Sequence, residues 1–131
     1  MALYDLLLEY LQNKGYRPKE EYYGLSVKVE RLEFLIFCDK VDDRYSRLCL
    51  PWIFEVNDDN EYAVRKAMNG VNAKTKVVKL YIKEDEDKHR YVWVGFEILH
   101  DITPNIGDIM DRAFVLLRGA RERFHDRLQN D

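Results

Sequence analysis

The sequence is poor in the residues from which catalytic and metal sites are built. Cysteine occurs only at Cys38 and Cys49, with no CxxC, so neither a zinc ribbon nor a dithiol redox motif is spelled out. Serine occurs only at Ser26 and Ser46, and no GxSxG surrounds either, which removes the nucleophile-elbow hydrolases. The histidines are His89, His100 and His125, without HxH or HxxxH spacing, so they do not form a ligand set. Gly70, Gly95, Gly107 and Gly119 stand singly, and no glycine-rich loop is available to cradle a phosphate. No apolar run approaches the ~20 residues of a membrane span. Positive charge is also short: 21 Lys and Arg against 24 Asp and Glu leave −3, without the broad positive field that holds nucleic acid. The expectation is a protein that is not an enzyme and has no cofactor, no metal, no membrane association and no nucleic-acid partner.

What is present is a folding pattern. The 131 residues are 47% apolar and 34% charged, the balance and length of one folded domain over residues 1–131. Leu3, Leu6, Leu7, Tyr10 and Leu11 make a helical stripe, with Gly15 as its left-handed cap. Asp5 and Glu9, without a leading basic residue, make this an amphipathic helix rather than a secretory signal. Three strands follow. Leu25, Val27 and Val29 alternate with polar residues. A tight Glu30-Arg31 connection leads into Leu32–Cys38, and Tyr45–Phe54 forms the third strand. Pro51 cannot donate to a ladder, so it belongs at an edge or a bulge. Asn57, Asp58 and Asp59 offer capping oxygens to a helix over about 59–72. Strands at Val77–Ile82 and Tyr91–Ile98 flank an acidic hairpin, Glu84–Asp87, which lacks the ligand alternation and glycine of a calcium loop. A last helix is capped by Thr103, with Pro104 in its first position. Along it, Asp108 and Asp111 near the start and Arg121, Arg123 and Arg127 near the end suit the helix dipole. The same arginines with Arg118 are the sequence's one basic cluster. The fold class is therefore α+β, a single antiparallel five-stranded sheet in the order α-β-β-β-α-β-β-α with helices on one face.

One pattern exceeds what folding requires. In the last strand Val92, Val94, Phe96 and Ile98 point one way, and Tyr91, Trp93, Gly95 and Glu97 the other. The aliphatic set takes the helices. The opposite face still carries Trp93, with Leu35 and Phe37 from the second strand, Val77 and Tyr81 from the fourth, and Cys49 and Ile53 from the third. Glu33, Asp39, Arg47 and Lys79 are interleaved with them. A solvated sheet face is mostly polar; aromatic groups rimmed by charge make up a protein interface. Leu35, Phe37, Tyr81 and Trp93 are the expected anchors. Trp93→Ala is expected to weaken association and leave the fold intact. The competing readings are a face covered by the chain's own segments, or a register slipped by one residue, which exchanges the faces. A pocket between sheet and helices for a small regulatory molecule is the alternative function.

Three segments carry a family resemblance: DDRYSRLCLP, AVRKAMNGVNAKTKVVKLYI and AFVLLRGARERF, within Asp42 to Phe124. They resemble a strand, a helix-then-strand unit and the last helix of the YbjN-like proteins, bacterial sensory-transduction regulators. That family is similar in fold to type III secretion chaperones, with the element order read above. The resemblance implies a bacterial cytoplasmic protein that binds other proteins, commonly as a homodimer. It brings no catalytic residues.

Overall fold

The computed structural model describes residues 2–39, 41–101 and 105–130. The Thr103 cap and Pro104 lie outside the described residues. Helix α1 (Leu3–Asn13) buries Leu3, Leu7 and Leu11, every fourth residue of its stripe. It ends at Gly15, whose φ of +86° is the left-handed conformation expected of the cap. The strands are β1 (Lys19–Glu21), β2 (Gly24–Val29), β3 (Leu32–Cys38), β4 (Tyr45–Val56), β5 (Lys79–Glu84) and β6 (Arg90–Leu99). Helix α2 (Glu61–Lys74) separates β4 from β5, and α3 (Ile106–Asn130) closes the chain.

The sheet has six strands rather than the expected five. β1 is the addition, paired antiparallel to β2 through Lys19↔Ser26 and Glu21↔Gly24. Its three residues are all exposed and polar, so it is held by backbone hydrogen bonds that no hydrophobic alternation announces. The order is β1-β2-β3-β4-β6-β5 with every neighbouring pair antiparallel. β5 therefore starts one strand beyond β6, and α2 carries the chain across.

Local chemistry explains the joints. Glu30 and Arg31 both have positive φ, 50° and 72°, as a two-residue type I′ hairpin between Val29 and Leu32 requires. The Asn57 Oδ1 accepts from the amides of Asp59 and Asn60. That side chain thus folds the turn before α2 rather than capping the helix, whose N-cap is Asn60. Pro51 lies at a bulge, as expected, but in a central strand. The β4–β6 register shifts between Leu50 and Phe54, and the β3 ladder ends at Leu35↔Cys49, so neither neighbour needs the missing amide.

All three helices pack on one face. Their buried residues form one core with Leu25, Val27, Val29, Phe34, Ile36, Leu48, Leu50, Val92 and Val94. Ile53, expected on the other face, joins this core because the bulge shifts its phase. Among α3 residues, Phe114 meets the Phe34 ring edge-on at 4.8 Å. Asp111 accepts hydrogen bonds from Tyr10 and Lys14, tying α3 to α1. Arg118 pairs with Glu30 at 3.4 Å, and the Arg127 guanidinium lies against Gly70 of α2. Arg118 of the basic cluster is therefore engaged within the fold. Cys38 and Cys49 are free thiols. They belong to clusters on opposite faces of the sheet, and burial raises both; Cys38 reaches about 11.

Candidate functional site

The helix-free face of the sheet carries a second apolar cluster. Leu35, Cys49 and Trp93 form its floor, with Tyr23, Phe37, Tyr81 and Tyr91 packed around them. The registers Leu35↔Cys49, Cys49↔Gly95 and Tyr81↔Trp93 set these side chains side by side across β3, β4, β6 and β5. Leu35, Phe37, Tyr81 and Trp93, singled out from alternation alone, therefore lie in one patch.

They do not lie equally open. Leu35 is 6% exposed and Trp93 5%, whereas Phe37 and Tyr81 are half-buried. The chain covers Trp93 with its own groups. Trp52 meets it edge-on at 5.6 Å, Tyr81 tilts against it at 6.3 Å, and the Lys83 ammonium stands 4.3 Å from its ring centre. Burying an indole this completely makes it part of the fold, so Trp93→Ala removes stability as well as any contact. The accessible apolar surface comes instead from Trp52 at 52% exposure and Val77 at 59%, together with Phe37 and Tyr81.

Sequence reasoning missed Trp52 and Tyr23. Trp52 sits inside the Pro51 bulge with φ +50°, and no alternation assigns a face to a residue in a bulge. Tyr23 belongs to the β1–β2 turn, where the amide of Cys38 donates to its carbonyl and its ring lies 4.8 Å from that of Phe37.

Gly95 lets Tyr81 lie flat across β6. A Cβ there would come within 2.9 Å of the Tyr81 Cε1. The Tyr81 hydroxyl reaches 3.5 Å from the Cys49 sulfur, and burial, then that contact, pushes the hydroxyl's pKa well above the ordinary tyrosine value. Burial also holds the Cys49 thiol protonated, against the opposing influence of Tyr81, Arg47 and Lys83. Both shifts disfavour the anionic form on which nucleophilicity depends.

Cations cap the rings. The Arg47 guanidinium lies 4.4 Å from the Phe37 ring centre, and Lys83 stands 5.7 Å from the same ring. Beside them runs an open groove of about 340 Å³ lined by Arg47, Val77, Lys79, Tyr81, Gly95 and Glu97. It lies on the helix-free face rather than between sheet and helices, where a regulatory pocket is expected. Among the described residues no group of three His, Cys, Asp or Glu side chains converges as metal ligands. No described helix is long and apolar enough to cross a membrane. The acidic hairpin spends Asp85 on its own turn, accepting from the His89 amide at 2.9 Å.

No protein-family profile matches the chain, and no curated protein matches it in sequence. Solved structures do match in fold. YbjN from E. coli, described as a candidate transcription regulator, superposes with a TM-score of 0.65 at 15% identity, covering 95% of this chain and 87% of that one. An uncharacterized protein from Methanothermobacter thermautotrophicus superposes with a TM-score of 0.68 at 12% identity, covering 98% of this chain and 97% of its own. With the same α+β build over nearly its whole length, the chain has a YbjN-like fold.

Proposed function

We propose that this protein is a non-enzymatic protein-binding module, regulatory or chaperone-like, that buries a partner segment or a twin subunit against the helix-free face of its sheet. The observation that carries this reading is the second apolar cluster on that face, against whose Trp93 the half-exposed Trp52 packs. Apolar and aromatic surface with a charged rim is the composition of an interface core, and Trp and Tyr are its usual anchors. The raised pKa of Cys49 and of Tyr81, which burial disfavours as anions, supports a binding rather than a nucleophilic role for them. The YbjN-like fold supports the regulatory side of this reading, and a bacterial cytoplasmic protein that pairs with itself is part of the proposal.

The reading is tested by comparing wild type with a Trp52→Ala, Phe37→Ala variant of verified fold. Sedimentation reports self-association, and affinity capture followed by mass spectrometry reports partners. Loss of the dimer or of a reproducible partner in the variant supports the proposal. A wild-type monomer whose captured set is unchanged by the variant overturns it. A small-molecule regulatory domain is the second reading, favoured by the polar groups that converge on the groove beside Tyr81; a ligand that protects the fold without changing its partners would select it.

A further inference from the structure

Resting on that protein-binding reading, we infer that the occupant is a segment of a partner protein that carries acidic residues beside apolar ones. The observations are the charges on the face and the backbone strain that borders it. Arg47 and Lys83 stand over the rings of Phe37 and Trp93, and neither makes an ion pair with a described residue. Arg47 takes the ring although Glu97 is its register partner across β6. The Glu97 carboxylate is beside Tyr45, where, after burial, it contributes to raising that hydroxyl's pKa. The third cation of the groove, Lys79, is already engaged, donating to the carbonyls of Asn72 and Thr75. Two cations thus remain with unpaired donors above an apolar floor, which is the complement of a carboxylate flanked by apolar side chains.

The strain points to the same place. Trp52 and Val77 have φ of +50° and +71°, a region costly for any L-residue and most so for a β-branched one. Both present more than half of an apolar side chain to solvent, Trp52 beside Trp93 and Val77 in the Tyr81 groove. Backbone strain of this kind is characteristic of binding sites. A polyphosphate backbone offers charge without the apolar groups that the floor of Leu35, Cys49 and Trp93 takes.

The chain's only two tryptophans, Trp52 and Trp93, both sit in this cluster, so intrinsic fluorescence reads the site directly. The probe is a synthetic peptide of repeating Glu-Leu-Glu-Phe, titrated beside its Gln-Leu-Gln-Phe counterpart and an oligothymidylate. The acidic peptide should change the emission saturably with a Kd about tenfold below that of the neutral one. The double variant Arg47→Gln, Lys83→Gln should erase the difference, so that the two peptides then bind alike. Equal binding of the two peptides, or a preference that survives the double variant, overturns the acidic assignment and leaves a general protein-binding face. A dimer abolished by Trp52→Ala, or tighter binding of the oligothymidylate, overturns it in favour of a second copy or a nucleic acid. No saturable response to any probe, with no dimer, sinks both this inference and the reading beneath it.

Discussion

Position 52 allows the strain argument to be measured. Trp52 is 52% exposed, so roughly 100 Å² of a ~200 Å² side chain is removed from water, worth about 2.5 kcal/mol at ~25 cal/mol per Å². Replacement by Ala or by Gly loses nearly all of that. The two replacements differ in the backbone. At φ +50° an L-residue pays about 1–2 kcal/mol that Gly does not, while Gly loses about 0.5–1 kcal/mol more chain entropy on folding. Trp52→Gly should therefore be more stable than Trp52→Ala by about 0.5–1 kcal/mol, the reverse of the usual order in a strand. With a urea slope of about 1.5–2 kcal/mol per M, the Gly variant's midpoint should lie about 0.25–0.7 M higher. Equilibrium urea denaturation followed by far-ultraviolet circular dichroism measures this without needing the lost indole. An Ala variant as stable as the Gly variant would refute the claim that the bulge holds Trp52 under strain, and would weaken the argument from Val77 with it.

Three further outcomes follow from the same geometry. Trp93→Ala should cost about 3–5 kcal/mol, the range for a buried aromatic truncated to Ala, because Trp93 is 5% exposed; a urea midpoint close to wild type would show that the indole is not part of the fold. Val77→Asn should hold or raise stability by about 1 kcal/mol, since Asn tolerates positive φ and Val77 is 59% exposed, while weakening the acidic peptide; a clear loss of stability would contradict the strain at that residue. Stability should also fall on acidification below about pH 6.5. His100 is buried, and its pKa lies below the ordinary 6.5 because burial disfavours the imidazolium. His125 is lowered by burial and then by Arg121. The unfolded chain binds these protons first, so the contribution is complete above the ordinary histidine pKa and is lost as pH drops through it toward the folded values. Urea midpoints that stay flat from pH 8 to 5, measured at half-unit steps, would contradict this assignment.

The division of the sheet into two faces was readable from side-chain order alone. Val92, Val94, Trp93 and Tyr91 alternate without interruption, and a period of two leaves each residue only one side. The same held for Leu35 and Phe37, for the stripe of α1 and for the Glu30-Arg31 turn, because partition between water and core acts within a few residues. Side-chain order was silent where the backbone alone decides. β1 exists through hydrogen bonds to β2, and its Lys-Glu-Glu carries no apolar signal. The phase of Ile53 and the side taken by Trp52 depend on a bulge that the registers on either side of β4 impose. How deeply Trp93 is covered depends on Lys83 and Trp52, which come from a neighbouring strand and a distant bulge. Sequence by itself determined which residues avoid water, since that preference belongs to each side chain. Tertiary structure decided which of them the chain covers and which it leaves exposed, since that depends on contacts between segments far apart in the chain.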